Sequence, residues 1–254
     1  MLEDELYLGV NLTSGRRPFV YIALDRRLSL VNKGTGSLSD ILSLVLNQAS
    51  CIIAICSPYQ PNQGIVREGN LQSTPTPGRK ARKWADCRLC EFILRNHRIR
   101  VTPTPASERD CPHRIREGFR LYRQLVHLGF QRFPTDQATH QFLEVHPHSA
   151  FTALLGYSPL PKHTLEGRLQ RQLALHEKEV QLPDPMGFFE EITRYRVLQG
   201  NFPLHLVLLP SELDATIAAY CAWLARYEPS SVSLIGDPVE GQILIPTGKM
   251  KPHY

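Results

Sequence analysis

The chain has 254 residues, of which 42% are hydrophobic and 21% are charged, and its six cysteines follow no regular spacing. This composition predicts a soluble globular protein with one domain over residues 1–254, and it excludes a small disulfide-stabilised fold. The chain starts with an acidic segment, and no apolar run approaches the roughly 18 residues of a membrane helix. We therefore expect a cytoplasmic protein without a membrane partner.

Positive charge is concentrated in one part of the chain. The formal net charge is +5, but residues 79–132 contain 14 Lys and Arg against 5 Asp and Glu. Such a block suits the phosphates of a polyanion, and nucleic acid is the partner that it favours. A solvated helical face has the same composition, so both interpretations stay open at this point.

Hydrophobic periodicity predicts a meander and a helix at the start of the chain. Strands are expected at residues 6–12, 19–24 and 28–31, a loop at 32–36, a helix at 38–46 capped by Ser37, and a buried central strand at 51–56. After this strand the chain becomes rich in Pro and Gly as far as residues 74–78, which predicts a long loop. Helices expected at 84–96 and 113–128 complete an insertion at about 57–135.

The second half of the chain predicts further parallel strands and helices. A strand at 142–145 is closed by Pro147, and helices follow at 149–155, 165–178 and 187–198. Residues 202–209 are read as a strand or a buried connector, 211–226 as the clearest helix, and 232–235 with 243–245 as a hairpin. This order predicts an α/β fold with a ribonuclease-H-like mixed sheet, in which an antiparallel meander leads into parallel strands with helices on both faces.

Glu144 is a charged residue where packing favours an apolar one. It lies within the short apolar strand at 142–145, directly before the next predicted helix. A strand-to-helix junction places it at the carboxyl edge of the sheet, where open α/β sheets keep their ligand sites. The sequence therefore predicts that Glu144 belongs to a functional site.

Three further residues are expected near Glu144. Asn11 and Gly9 share one face of the first strand, and Cys56 shares a face with Ala54 at the end of the central strand. Small residues favour close approach of a helix, and the alanines of the helix at 211–226 suit that approach and would bring Asp214 with them. If Asn11, Cys56, Glu144 and Asp214 converge, their oxygen ligands suit Mg²⁺ or Mn²⁺ and hydrolysis of a phosphodiester.

Each of these residues also has a purely structural interpretation. Ser211 and Asp214 have the spacing of a helix capping box, and Cys56 on an apolar strand suits a core thiol. Asn11 at a strand end suits a turn. Glu144 can be a buried acid paired with an arginine such as Arg168 or Arg171.

Two other groups of side chains are candidates for binding. Lys162, Arg168 and Arg171 surround the helix start at Thr164, where a phosphate is as plausible as solvent. A zinc site is a weaker candidate, because one Cys-x-x-Cys pair without a second well-spaced pair is a poor signal. Its possible ligands are Cys87, Cys90, Cys111 and His113.

Several motifs resemble one protein family. The segments EVHPHSAFTALL (144–155) and KHTLEGRLQR (162–171), together with IAICSP (53–58), LDATIAAYCA (213–222) and GDPVEG (236–241), resemble the domain of unknown function 429 family. The resemblance covers most of the chain. It implies a ribonuclease-H-like fold and a nuclease activity in which Glu144 and Asp214 are catalytic and, with Asn11, hold the metal.

This chain departs from the family pattern at two positions. The family usually has aspartates where the chain has Asn11 and Cys56. An asparagine still offers a neutral oxygen, whereas a cysteine replaces a hard ligand with a soft one. The sequence therefore supports a metal-dependent nuclease, whose activity the loss of these two aspartates can degrade, or a catalytically inactive relative that binds nucleic acid or another partner. A hydrolase or transferase with Cys56 as nucleophile is a third hypothesis.

Overall fold

The structure is a computed structural model that describes residues 5–66, 86–135 and 138–254. Its described residues form one mixed sheet of eight strands, in which seven follow the order β3-β2-β1-β4-β6-β8-β7 and β5 pairs with β6. The strands are β1 (Glu5–Leu12), β2 (Phe19–Leu24), β3 (Leu30–Gly36), β4 (Ser50–Ile55), β5 (Gln131–Arg132), β6 (His140–Val145), β7 (Ser233–Asp237) and β8 (Gly241–Ile245).

Helices cover the sheet and connect its strands. They are α1 (Leu38–Leu46), α2 (Leu89–Asn96), α3 (His113–His127), α4 (Pro147–Leu155), α5 (Leu165–His176), α6 (Gly187–Glu190), α7 (Arg194–Leu198) and α8 (Pro210–Tyr227). Short 3₁₀ turns lie at Glu108–Asp110, Leu204–Leu206 and Pro229–Ser231. In the described part of the chain, no helix has both the length and the apolar character needed to cross a lipid bilayer.

The strand directions confirm the predicted change from antiparallel to parallel pairing. β1 and β2, β2 and β3, and β7 and β8 are antiparallel pairs. β4 is parallel to β1 and to β6, and β6 is parallel to β5 and β8. The protein is therefore a mixed α/β fold with a meander at one edge of the sheet and parallel strands at its centre.

The central strand β4 is buried on both faces, as its continuous apolar sequence predicts. Ile52 and Ala54 belong to the core between the sheet and α8. Cys51, Ile53 and Ile55 belong to the core on the opposite face, with side chains from α1 and α3. Because side chains alternate along a strand, a strand covered on both faces needs apolar residues at every position.

The closest helix-to-sheet contact lies at Gly9 of β1. A Cβ atom at this position would lie 1.9 Å from the carbonyl oxygen of Ala215 and 2.4 Å from the amide nitrogen of Ala219, both in α8. The predicted approach of the alanine-rich helix to the small residues of the sheet is thus confirmed. This contact fixes the first turns of α8, including Asp214, against the carboxyl ends of the strands.

The third strand differs from its prediction. Residues 28–31 were expected as the strand and residues 32–36 as a loop, whereas β3 starts at Leu30 and continues through Gly36. The carboxylate of Asp25 accepts hydrogen bonds from the amides of Arg27 and Ser29 and forms the turn before it. β3 lies at the sheet edge and has mostly exposed residues, so it lacks the hydrophobic pattern that reveals a strand.

Other corrections concern element ends and short elements. Pro147 does not close a strand; it is the first residue of α4, where its missing N–H costs no hydrogen bond. The predicted helix at 187–198 is divided into α6 and α7, and residues 202–209 form a connector with one 3₁₀ turn. β5 was not predicted because it has only two residues. The loop at 74–78 and the helix start at Trp84 lie outside the described residues.

The insertion between β4 and β6 packs against the far end of the sheet. Cys90, Leu94 and Ile99 form a third core with Ile243 and Ile245 of β8. α3 packs on the opposite side, where Leu121 and Leu125 join the core under β1 and β4. The helices of the insertion are therefore held by the sheet and frame its carboxyl edge.

We predict that Gly9→Ala lowers the free energy of unfolding by about 3 kcal/mol or more, because α8 must move away from β1 to admit the methyl group. Urea denaturation measures the change. Gly15→Ala is the matched control, since a Cβ there meets nothing closer than 3.8 Å. A loss of stability at Gly9 as small as that at Gly15 would contradict this account of the packing.

Candidate functional site

A cleft of about 970 Å³ opens at the carboxyl ends of β1, β4 and β6. Asn11, Cys56, Glu144 and Asp214 all line it, so the structure brings together the four residues that the sequence selected. Asn11 lies near the end of β1, Cys56 directly after β4 and Glu144 near the end of β6, while Asp214 comes from the second turn of α8. The edge of the sheet is thus the candidate site.

Glu144 is paired with an arginine from the insertion. Its side chain is only 4% exposed, and Arg88 donates to both of its carboxylate oxygens, with an Nη1–Oε2 distance of 2.9 Å. The amide of Tyr59 donates to Oε2 at 2.8 Å. The expectation that an arginine could satisfy Glu144 is confirmed, but Arg168 and Arg171 were the wrong candidates for its partner.

Arg88 is itself buried in a network of carboxylates. Its side chain is 1% exposed, and its Nε donates to Oε1 of Glu91 at 3.1 Å. Glu91 also accepts from the amide and the hydroxyl of Thr104. Glu240, which is fully buried, accepts from the amide of Leu89 at 2.6 Å. These bonds join the start of α2, the segment around Thr104 between α2 and α3, and the β7–β8 turn to the end of β6.

Gly241 provides the space for this ion pair. Its φ of +126° favours glycine, and a Cβ there would lie 2.8 Å from Nη1 of Arg88 and 3.2 Å from Oε2 of Glu144. Any side chain would displace the guanidinium or the carboxylate. The last glycine of the GDPVEG segment is therefore explained by the contact between Arg88 and Glu144.

Asp214 is the second buried acid of the cleft and has its own cation. Lys162 donates to Oδ2 at 2.7 Å, and the side chains are 7% and 45% exposed, respectively. Burial raises the pKa of Asp214, and the charge of Lys162 opposes that shift. The capping-box interpretation of Asp214 is wrong, because the helix begins one residue before Ser211 and Glu212 accepts from the amide of Leu209.

Cys56 has the environment of a core thiol. Its Sγ donates to the backbone carbonyl of Asp214 at 3.4 Å. Burial, followed by the negative charge of Asp214, raises the pKa of the thiol well above its usual value. A nucleophilic cysteine needs a lowered pKa, so the structure does not favour the hypothesis of a Cys56-centred enzyme.

The acids of the cleft do not fit a divalent metal in this arrangement. Glu144 is neutralised by Arg88 and Asp214 by Lys162, so an added cation would have to displace a bonded guanidinium or ammonium group. Residues 5–66, 86–135 and 138–254 contain no group of three or more His, Cys, Asp or Glu side chains that could hold a metal ion. The zinc ligands considered from the sequence, Cys87, Cys90, Cys111 and His113, therefore form no such group, whereas Mg²⁺ or Mn²⁺ at Asn11, Glu144 and Asp214 stays a prediction.

Two of the three side chains predicted to bind phosphate line the cleft, and the third does not. Lys162 and Arg171 line the cleft, whereas Arg168 is absent from its lining and donates to the carbonyls of Val207 and Leu208. The guanidinium of Arg171 is only 3% exposed and donates to the carbonyls of Leu160 and Gly167. Arg168 therefore holds the connector before α8, and the positive charge of Arg171 is fixed at the cleft wall.

Two arginines of the insertion complete the lining and lack an acidic partner. Arg100 and Arg114 are exposed residues that form no ion pair or side-chain hydrogen bond in the described part of the chain. With them, the lining contains five Arg and Lys residues against three acids. Because each acid is already paired with a cation, the cleft has an excess of positive charge.

Two histidines lie among these cations. His146 is the N-cap of α4, and its Nδ1 accepts from the amide of Ser149 at 3.2 Å. Burial, followed by the nearby His148 and the cations, lowers the pKa of His146 to about 3. The pKa of His148 is also lowered, by burial and then by the charges of Arg171, Arg100 and Lys162. Both imidazoles are therefore neutral at pH 7.

Comparison with known proteins identifies a family. The sequence profile of one family, described as Protein of unknown function (DUF429), matches residues 23–240. The chain belongs to this family. No curated protein and no solved structure matches the chain.

The DUF429 match covers most of the residues that line the cleft, although Asn11 precedes it. It includes Glu144 and Asp214, and also Arg88 and Glu240, which the sequence reasoning missed. Arg88 lies in a basic segment and has no distinctive local pattern. Glu240 had a signal in its motif, since an acid between Val239 and Gly241 in a tight turn suggests a carboxylate that caps backbone amides.

We predict that Arg88→Met lowers the free energy of unfolding by about 3–5 kcal/mol, because it leaves the buried carboxylate of Glu144 unpaired. The double variant Arg88→Met/Glu144→Gln should regain part of this loss, and urea denaturation measures both. Arg123→Met is the control, since its ion pair with Glu108 is exposed and contributes about 0–1 kcal/mol. Equal losses in the single and double variants would contradict coupling between Arg88 and Glu144.

Proposed function

We propose that this protein binds nucleic acid through phosphate groups held in the cleft, without a divalent metal and without metal-dependent catalysis. The observation that carries the proposal is the set of unpaired cations around a cleft whose acids are all neutralised. A phosphate entering such a cleft meets positive charge and displaces no existing ion pair at Arg100 or Arg114. Cations in a concave, partly desolvated site attract phosphates more strongly than cations on an open surface.

Further arginines extend the positive charge beyond the cleft. Arg98, Arg109 and Arg116 are exposed, and their side chains form no ion pair with any described residue. They belong to the same insertion as Arg100 and Arg114. A ligand with several phosphates in a row could contact more of these residues than a single phosphate, which supports a polymeric partner.

We also propose that the fold is ribonuclease-H-like and the location cytoplasmic. The support for the fold is the antiparallel pairing of β3, β2 and β1, followed by the parallel strands β4, β6 and β8 with helices on both faces. The candidate cleft at the carboxyl edge agrees with the usual position of ligand sites in such sheets. The fold assignment by itself does not distinguish a nuclease from an inactive relative.

A metal-dependent nuclease is the second candidate. Its support is that Asn11, Glu144 and Asp214, the predicted metal ligands, line one cleft together. The cations paired with both acids weigh against it, because a metal would have to replace them. We therefore rank this candidate below metal-independent binding.

For the first candidate, we predict that Arg100→Met/Arg114→Met weakens binding to a fluorescent oligonucleotide by about 10- to 100-fold at low salt, since two charged contacts are lost. The slope of log K against log salt concentration should become shallower by about 2. Fluorescence anisotropy measures both, with EDTA present throughout. Arg26→Met/Arg27→Met removes the same charge from the exposed turn between β2 and β3, away from the cleft lining, and is the matched control. Equal weakening in both variants would reject the cleft as the binding site.

For the second candidate, we expect Mn²⁺ to induce cleavage of DNA or RNA that EDTA stops and Glu144→Gln abolishes. The variant must first be shown to be folded, because Glu144 also pairs with Arg88. Mn²⁺ should in that case also raise the melting temperature of the wild-type protein. Neither cleavage nor a shift in melting temperature at millimolar Mn²⁺ would remove this candidate.

A further inference from the structure

His148 is a free imidazole at the wall of the cleft. It is the second residue of α4, follows Pro147 and is partly buried. Its backbone carbonyl accepts from the hydroxyl of Thr152 at 2.7 Å, but its ring nitrogens have no hydrogen-bond partner among the residues that the structure describes. A polar ring held in a cleft without a partner is available to a ligand.

We infer that His148 is the general base of a metal-independent RNA cleavage in this cleft. The inference rests on the proposed binding of phosphates there. In this reaction the substrate supplies its own nucleophile, the ribose 2′-hydroxyl, and the protein supplies a proton acceptor and fixed positive charge. General-base catalysis and preorganised charge are each sufficient for large rate effects.

The charges around His148 suit this role. Burial is the largest cause of its lowered pKa, and the nearby charges of Arg171, Arg100 and Lys162 lower it further, so its ring is an unprotonated acceptor at neutral pH. The guanidinium of Arg171 lies 5.4 Å above the ring of Phe151 and donates to two backbone carbonyls, which fix its position. The same cations that keep His148 neutral can therefore stabilise the negative charge that develops on the phosphate.

His146 cannot take the same role. Its ring centroid lies 6.4 Å from that of His148 and the two rings are perpendicular. Its Nδ1 already accepts a hydrogen bond from the amide of Ser149, so that nitrogen is not available to a ligand. Of the two histidines in this motif, one caps α4 and the other is available for chemistry.

The reaction balances without a metal or a cofactor. His148 removes the proton of the 2′-hydroxyl, whose oxygen attacks the adjacent phosphorus atom. The bond from phosphorus to the 5′ oxygen breaks, and that oxygen takes a proton from water. The products are a 2′,3′-cyclic phosphate and a 5′-hydroxyl, and His148 returns its proton to solvent.

The pairing of the cleft's carboxylates with cations favours RNA over DNA as the substrate. Glu91, Glu144 and Asp214 are each bound to a cation, so none of them is free to activate a water molecule or hold a metal. The acids of the cleft thus supply no activated water molecule as an external nucleophile. RNA carries the nucleophile within each nucleotide, whereas DNA does not.

The experiment uses the full chain in EDTA with two labelled oligonucleotides, one of DNA and the other identical except for a single ribonucleotide. We expect cleavage after the ribonucleotide, with a 2′,3′-cyclic phosphate end identified by mass spectrometry, and no cleavage of DNA. His148→Ala should lower the rate by about 10²–10⁴-fold while binding measured by anisotropy remains. Cleavage of the all-DNA strand, or an unchanged rate in His148→Ala, would overturn the inference.

His127→Ala is the matched control and should leave cleavage unchanged, because His127 is exposed in the last turn of α3 and does not line the cleft. Identical purification of all variants exposes any contaminating ribonuclease, which would act equally in each. His148→Gln preserves most of the side-chain volume if His148→Ala does not fold. Binding without cleavage would reject the inference alone, whereas absence of binding would reject the proposed function as well.

The pH profile provides a second readout. Cleavage should stay near its maximum down to a pH below the ordinary pKa of histidine, because the pKa of His148 is lowered. Arg100→Met removes one of the charges responsible, so at saturating RNA the acid limb should move to higher pH. An acid limb in the wild-type protein at or above the ordinary pKa of histidine would show that His148 is not the titrating base.

Discussion

The ion pair between Glu144 and Arg88 is the interaction on which the rest of the site depends. A carboxylate near the end of the parallel strand β6 is costly to bury without a partner, and its bidentate partner comes from the insertion. The bond joins elements that are 56 residues apart in the chain. It thereby fixes the start of α2, and the segment that follows α2 carries Arg100 to the wall of the cleft.

The same ion pair changes what the cleft can bind. Unpaired, Glu144 and Asp214 would form an acidic site that attracts cations. With Arg88 and Lys162 in place, the acids no longer contribute a net negative charge, and the remaining arginines dominate the electrostatic field. Each buried acid of the cleft is thus accompanied by a protein cation, and the charge complementary to the cleft is negative.

The other wall of the cleft depends on packing between apolar elements. α8 lies directly on β1 because Gly9 has no side chain, and this contact brings Asp214 to the edge of the sheet. The connector before α8 is held by Arg168 and by Gln172, whose side chain bonds to Leu208. One wall of the site is therefore positioned by salt bridges and the other by close helix-to-sheet packing.

The sequence by itself determined the elements that have a strong local signal. The apolar pattern of β4, the Ser37 cap of α1 and the small residues facing α8 all predicted their structures correctly. Strand alternation selected Asn11 and Cys56, the strand-to-helix junction selected Glu144 and the alanine-rich helix selected Asp214, and all four line one cleft. The edge strand β3 escaped prediction because its residues are mostly exposed and polar. Only the tertiary structure decided the charge of the site. The partners Arg88 and Lys162 lie 56 and 52 residues from the acids they neutralise, and no periodicity in the sequence relates a side chain to a partner that distant.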